Sequence, residues 1–572
     1  MNILGIWHSE YPGAAMAASC HPHIQKGRME LSARDAATSD RLMALAYGQI
    51  RNRESLARSL GLTPGYRPSQ LILKCYEKWG EDYPIHVEGP VMTAVYDLEQ
   101  DRMMVTSDRM GERAVYCTMD PPAFSDHPDA LLAARCATPV IDESGVCELL
   151  SVGPAMTPGR TPLRDIRRLE PGQCFIADRS GPRVKSYWSL TAAPHRDSPE
   201  ETVLQVRRML ERIVNDAVPL HPACMLSGGL DSTALTALIG RSIRRVESFS
   251  VDYEGADRDY EPTSCRPEAD APYVDAAVRH IGTLHRRIVL TQQALADALG
   301  DAVDARGFPG MADVDASLLL FARKIAPHAR YAVTGECGDE GFGGYPWFRE
   351  DYAAKPGFFP WSGKPEIRAA MLAEPLRGKV DLTEYARAAC AREAELTPTL
   401  PGESPEDARL RALQYACFRW FMPNLQIRAA AICEAGGLSP IAPYADAELA
   451  HYLFNVPWRI KRLNGVNKGL LREAVKDLLP PELLNRKKSP YPKTCSPEYT
   501  ALVRDLSREM LRDRDSPAFQ IVSRSAFRDL IEGEMSPTDW PWDGPLMAGP
   551  QLAAYIWQID RWMRDRNIRV EI

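Results

Sequence analysis

The stretch Ser227-Gly228-Gly229-Leu230-Asp231-Ser232-Thr233 constrains this chain more than any other. It follows the apolar run Ala223-Cys224-Met225-Leu226 and leads into Ala234-Leu235-Thr236-Ala237-Leu238-Ile239, which predicts a buried strand, a tight turn and the start of a helix. Two adjacent glycines let the backbone come close to an anion, the helix N-terminus turns its free N–H groups and positive dipole end toward it, and the serine hydroxyls add donors. The pattern is a phosphate cradle. Asp231 adds a condition, because a carboxylate facing phosphate repels it unless a divalent cation sits between them, so magnesium is implied. The plainer alternative is an ordinary strand-to-helix turn in which Asp231 caps the helix.

With its flanks, the string resembles the pyrophosphate loop of ATP pyrophosphatases, which cleave ATP between the α- and β-phosphates. It lacks the lysine of the GxxxxGK(S/T) loop, so γ-phosphoryl transfer is the weaker reading.

The rest of the chain limits the partners. At 572 residues, with 45% hydrophobic and 25% charged residues, it has room for two or more domains with sizeable cores. A net charge of −7 argues against broad binding to nucleic acid or to an anionic membrane. The 13 cysteines include no CxxC pair, which suggests buried thiols rather than a zinc site or a disulfide framework. No signal-peptide pattern opens the sequence and no apolar run is long enough for a membrane helix, so a cytoplasmic protein is expected. A homodimer is compatible with all of this.

The front of the chain is rich in strands. Met1-Asn2-Ile3-Leu4-Gly5-Ile6-Trp7 reads as a short strand, Leu42 to Ile50 as a strand, and Arg53 to Gly61 as a short helix stopped by glycine. The strand pair Val91–Asp97 and 102–108 is joined by the hairpin turn Leu98-Glu99-Gln100-Asp101. This order, with the strings 75–80 and Ser107-Asp108-Arg109-Met110-Gly111, resembles the N-terminal glutaminase domain of asparagine synthetases, an α+β sandwich of the Ntn-hydrolase type. Ile166-Arg167-Arg168-Leu169-Glu170-Pro171-Gly172 and Tyr187-Trp188-Ser189-Leu190 look like its end, which implies a domain over 1–190.

The glutaminase chemistry departs from that resemblance. The family's nucleophilic cysteine after the initiator methionine is replaced by Asn2, and Cys20 would serve only after cleavage at Ser19. The Arg-Gly-Pro-Asp string that grips glutamine is absent. Tyr47-Gly48-Gln49 stands where the family has Asn-Gly-Glu, losing an oxyanion-hole side chain. Pro68 and Gln70 stand where it has an Asp and a Glu. Together these predict a degenerate glutaminase domain.

Residues 191–200 turn polar and read as a linker. Helical periodicity over 202–218 leads into the phosphate loop, and Val246-Glu247-Ser248-Phe249-Ser250-Val251 and Leu284–Leu290 read as the next parallel strands. A doubly wound α/β domain over 200–572 is expected, with a helical C-terminal part and nucleotide bound at the strands' C-terminal ends. A second loaded stretch, Tyr331-Ala332-Val333-Thr334-Gly335-Glu336-Cys337-Gly338-Asp339-Glu340-Gly341-Phe342-Gly343-Gly344-Tyr345, is a strand running into an acidic, glycine-rich loop. Alone it could be a solvated acidic loop. It resembles the Ser-Gly-Glu-Gly-x-Asp-Glu-x-Phe-Gly-Gly-Tyr signature of asparagine synthetases, and its distance from Asp231 suits neighbouring strand ends.

That resemblance implies the following roles. Asp231 and Asp339 share a magnesium-pyrophosphate, and Glu336 orients the incoming amine or takes its proton. Ser227, Gly228, Gly229 and Ser232 belong to the ATP loop, and Leu226, Val251, Gly335 and Glu336 occupy nucleotide-contacting positions. In Arg486-Lys487-Lys488, which matches the family's Arg-x-Lys, Lys488 reaches the phosphates and the developing negative charge. Gly469 to Pro480 predicts an amphipathic helix stopped by proline, and Pro550 to Trp562 a further helix.

The family reaction is attack of a carboxylate on MgATP, release of pyrophosphate, and capture of the acyl-adenylate by an amine. Relatives without glutaminase activity include β-lactam synthetases and lasso-peptide cyclases. The acceptor region also departs from the asparagine-forming pattern: Ser439-Pro440-Ile441 replaces Glu-Val-Arg, losing a bidentate partner for a carboxylate. Asp313, Asp315 and Ser317 either line that pocket or cap a helix. Three readings stay open: an amide ligase using a substrate amine, an ammonia-dependent asparagine synthetase, and a catalytically silent partner protein. The charges Asp231, Glu336, Asp339 and Lys488 speak against the third. A thiolating tRNA-modifying enzyme fits the acidic balance poorly.

Overall fold

The structure, a computed structural model, describes residues 3–8, 23–63, 65–219, 221–256, 268–349, 356–362, 364–536, 541–542 and 546–572. Asn2, Ser19 and Cys20 lie outside the described residues. The chain divides into two compact units, Met1–Gly145 with Met156–Leu190, and Val146–Ala155 with Thr191–Val570; Glu571 groups with the first and Ile572 with the second.

The first unit is built on two six-stranded antiparallel sheets. The strand Leu42–Gly48 explains the architecture. Side chains alternate across a strand, and here both sets are apolar. Leu42, Ala44 and Ala46 pack under the helix Pro68–Trp79 with Leu71, Ile72 and Cys75. Met43 and Leu45 face the other way, joining Trp7, Met29, Leu31 and Phe124 from the second sheet. A strand buried on both faces needs an unbroken apolar run, which is what Leu-Met-Ala-Leu-Ala provides. The result is the expected α+β sandwich, and the Val91–Asp97 and Arg102–Thr106 hairpin forms in register.

The second unit holds a five-stranded parallel sheet. In spatial order its strands are Leu284–Leu290, Glu247–Tyr253, Ala223–Met225, Tyr331–Val333 and Ser439–Ile441. The helices Leu230–Ser242 and Ala271–Ile281 make the crossovers between the first three. Ala223, Phe249 and Ala332 on the sheet bury against Leu318, Phe321 and Ile325 of the helix Asp313–Ile325 and Ile432 of the helix Met422–Ala435. The chain enters this unit through the helix Pro199–Ala217, where Ser198 Oγ accepts from the Glu201 N–H at 3.2 Å and the Glu201 carboxylate returns to the Ser198 N–H at 2.8 Å. The fold is the expected doubly wound α/β arrangement with a helical C-terminal part, ending in the helix Pro550–Asp565.

One helix is shorter than its periodicity predicts. It spans Gly469–Ala474 rather than reaching Pro480. Val475 leaves helical geometry, and the Ala474 carbonyl, freed from the helix ladder, accepts from Arg207 at 3.0 Å. Every described cysteine is a free thiol, buried apart from Cys390 and Cys495. Among the described residues no helix is long and apolar enough to cross a membrane.

Candidate active site

Ala223–Met225 is the central strand, flanked by Glu247–Tyr253 on one side and Tyr331–Val333 on the other. The order of connection reverses between it and Tyr331–Val333, and the crevice beyond such a switch point is where ligands bind in open α/β sheets. Both loaded loops leave the sheet there.

The first loop is shaped by its glycines and serines. Leu226 is buried, its N–H bound to the Phe249 carbonyl at 2.8 Å. Gly228 has φ +70°, and a Cβ on it would stand 2.7 Å from the Tyr273 carbonyl carbon, so only glycine fits. Ser227 and Ser232 place their hydroxyl oxygens 3.1 Å apart, and the Gly229 N–H donates to Ser227 Oγ at 3.3 Å. Gly229 caps the helix Leu230–Ser242 without a side chain, so no capping group covers the first-turn N–H groups. This is a cradle open to an anion.

The second loop packs directly on the first. A Cβ on Gly335 would stand 2.7 Å from the Ser232 nitrogen, and one on Gly338 2.8 Å from the Asp231 carboxyl carbon. Asp339 begins the short helix Gly338–Phe342 and is thereby brought beside Asp231. The ammonium of Lys468 pairs with Asp231 Oδ2 and, at 2.6 Å, with Asp339 Oδ1. Lys488 pairs with Asp339 Oδ2 at 2.5 Å. Burial pushes the Asp231 carboxyl above the ordinary range against the pull of Lys468. Burial also pushes Asp339 up, but two lysines outweigh it and hold the group at about 2.

Glu336 lies in the turn three residues beyond the strand Tyr331–Val333. Burial raises its carboxyl above the usual value, while Arg428, with Nη1 3.3 Å from Oε1, opposes the rise. Val251 is half-buried near the end of the strand Glu247–Tyr253. The structure thus brings Asp231, Asp339 and Lys488 together, with Glu336 on the same loop as Asp339.

The pocket reading of Asp313 and Asp315 is corrected. Both are fully buried, so neither presents a carboxylate surface to a pocket. Asp313 accepts from the Thr494 N–H at 2.9 Å. Asp315 is clamped by Arg428 and, at 3.2 Å, by Arg306. Neither caps the helix, since the cap position is Ala312. Ser317 Oγ lies 3.0 Å from the Tyr491 hydroxyl.

Sequence reasoning missed three groups. Lys468 follows no motif and precedes a six-residue helix. Arg428 comes from the middle of an apolar helix, where a buried arginine signals a buried acid nearby. Arg486 was visible in Arg486-Lys487-Lys488 but had no role there. It donates to the Ser227 carbonyl at 2.7 Å, pairs with Asp270 and lies 4.4 Å over the Tyr273 ring, bracing the phosphate loop.

The site fits ATP and magnesium by its own features. Asp231 Oδ1 is buried without a hydrogen-bond partner among the described residues. No group of three or more metal-binding side chains forms among the described residues. Magnesium does not need one, since it is usually held by one or two carboxylates plus substrate phosphates.

The Asparagine synthase family matches residues 205–564, and the Glutamine amidotransferase domain family matches residues 36–188. The chain is 33% identical over 573 residues to Asparagine synthetase (glutamine-hydrolyzing) 3 of Bacillus subtilis (strain 168), covering 96% of this chain and 93% of the relative. It is 23% identical to Asparagine synthetase (glutamine-hydrolyzing) 1 of the same organism, covering 85% and 81%. It is also 23% identical to Amidase chyE of Penicillium rubens, covering 75% and 73%. The chain therefore belongs to the asparagine synthase family, ATP-dependent carbon–nitrogen ligases that release AMP and pyrophosphate.

Proposed function

We propose that the protein activates a carboxylate as its acyl-adenylate and passes the acyl group to an amine that does not come from glutamine hydrolysis, in the assembly of a natural product or a peptide macrolactam. The observation that carries the adenylation step is the convergence of Asp231, Asp339, Lys468 and Lys488 beside an open helix N-terminus at the sheet's switch point. Magnesium bound with the phosphates would be held by Asp231 and Asp339 and would neutralise charge on the leaving pyrophosphate. The first-turn N–H groups and the loop serines orient the phosphates. Lys488 meets the negative charge that develops as the carboxylate oxygen attacks the α-phosphorus. Glu336, held by Arg428, takes the proton from the attacking amine.

Two features support a nitrogen source other than glutamine. Gln70, standing where the glutaminase pattern has an acid, accepts from the Arg67 N–H at 3.0 Å and so caps a helix. Asn2 stands where that pattern has its nucleophile. Against free aspartate as acceptor, Ile441 fills the arginine position, and Arg428 gives its Nε, Nη1 and Nη2 to Asp315, Glu336 and the Val314 carbonyl. The second reading, ammonia-dependent synthesis of asparagine, is favoured by the likeness to asparagine synthetases along nearly the whole chain.

ATP–pyrophosphate exchange against a panel of carboxylates, with Asp231→Ala as control, tests the proposal. Exchange driven by an acid other than aspartate, and lost in the control, supports it. Exchange driven by aspartate alone, with asparagine formed from ammonium, replaces it with the second reading.

A further inference from the structure

Asp231 and Asp339 are buried acids from loops about a hundred residues apart, and one ammonium lies between them. Two carboxylates held together away from water repel each other and are costly without a countercharge. Lys468 supplies that countercharge with unusual commitment. Its backbone takes the left-handed conformation, φ +56°, which a side chain disfavours, and the residue is only 5% exposed. Its stem lies over Gly344, where a Cβ would stand 2.1 Å from Lys468 Cε and 1.9 Å from Asp339 Oδ1. The next residue, Gly469, is pressed against Leu463, where a Cβ would lie 2.1 Å from the carbonyl oxygen, and Arg472 ties down the Asn467 carbonyl at 2.9 Å. The turn that presents Lys468 is fixed from both sides.

We propose that the Lys468 ammonium is a placeholder for the metal ion: it occupies the position between Asp231 and Asp339, excludes a divalent cation from the site alone, and yields that position only when the cation arrives with a nucleotide's phosphates. Every charge keeps a countercharge through the exchange. The incoming metal takes over the carboxylates, and the displaced ammonium finds new anionic partners in the phosphate oxygens that enter with it. Lys488 is a poorer substitute, because it pairs directly with Asp339 and reaches Asp231 only through a longer-range Coulombic pull. Metal and nucleotide therefore bind as one unit. The inference rests on reading this site as one for metal-bound phosphates.

The test counts bound Mn²⁺ from the loss of the free-ion paramagnetic resonance signal, using the full chain. Without nucleotide, the wild type is expected to take up no Mn²⁺ that is lost in Asp339→Asn, whereas Lys468→Met and Lys468→Gln are expected to bind one ion at least about tenfold more tightly than the wild type. In EDTA both variants should melt below the wild type and recover with Mn²⁺, while the wild type should be unmoved by Mn²⁺ alone. Uptake of one Mn²⁺ by the nucleotide-free wild type, abolished in Asp339→Asn, overturns the proposal without needing a folded lysine variant. So do folded lysine variants that bind no better than the wild type. The parallel arm adds α,β-methylene-ATP to the wild type. Uptake there upholds the phosphate reading whichever way the first arm falls, and no uptake defeats that reading and the placeholder with it.

Discussion

Arg428 lies against Glu336, Nη1 to Oε1 at 3.3 Å, while the same guanidinium grips Asp315 through its Nε. One buried cation therefore couples the candidate proton acceptor to a second, fully buried acid. Arg428→Met should cost about 3–5 kcal/mol of stability, the usual penalty for leaving buried charges unpaired, read from urea denaturation. It should also raise the Glu336 carboxyl further above its ordinary value, since burial already raises it and Arg428 opposes that rise. A base must be ionised to accept a proton, so the acidic limb of the pH–rate profile is expected to move to higher pH.

Lys488→Met is expected to separate chemistry from folding. Its side chain is 35% exposed, and Asp339 keeps Lys468 as a partner. The melting temperature should hardly change. Removing one preorganised electrostatic contact should lower kcat by roughly 10²–10³, measured as pyrophosphate exchange at saturating ATP.

Asp313 sets a pH dependence of stability outside the site. Burial pushes its carboxyl up to about 6 in the fold, from 3.8. The folded state therefore holds this proton more tightly than the unfolded state does. Its contribution to stability is present in full below about 3.8 and is lost as pH rises to about 6. Asp313→Asn keeps an acceptor for the Thr494 N–H and removes the titration. The stability difference between variant and wild type should grow in the variant's favour across that window, by on the order of 3 kcal/mol. Chemical denaturation at stepped pH measures it.

Cys337 occupies the position where the asparagine synthetase signature has glycine, and it does so at φ +73°. Cys337→Gly should relieve about 1 kcal/mol of left-handed strain. Loss of the contact between Gln426 Nε2 and Cys337 Sγ, 2.6 Å, offsets part of the gain. Stability equal to or slightly above the wild type is expected, whereas the β-branched Cys337→Val should be clearly destabilising. Urea midpoints distinguish the three proteins.

The parallel sheet and the phosphate loop were legible because each is written locally. Apolar runs end in glycine and serine at Ser227-Gly228-Gly229, and again in glycine at Gly335. The sandwich strand Leu42–Gly48 was legible for the same reason. The electrostatic half of the site was not. Lys468 pairs with Asp231 across 237 positions, and nothing in Val466-Asn467-Lys468-Gly469 distinguishes it from a surface lysine. Asp313 and Asp315 could be read either as pocket-lining or as helix caps because the groups that enclose them, Thr494 and Arg428, are both distant in sequence. The helix at Gly469 ended early for a similar reason: its periodicity runs on, but Arg207 claims its last carbonyl.

The long reach between Asp231 and Lys468 matters while the chain is being made. By the time the strand Ser439–Ile441 has been synthesised, all five strands of the parallel sheet exist, yet neither lysine of the site has been added. A growing chain at that stage can assemble its sheet only with Asp231 and Asp339 uncompensated at its centre. The late segment that delivers Lys468 and Lys488 thus acts as a closing clasp, and a chain halted before it keeps its hydrophobic pattern while lacking the charges that let its core shut.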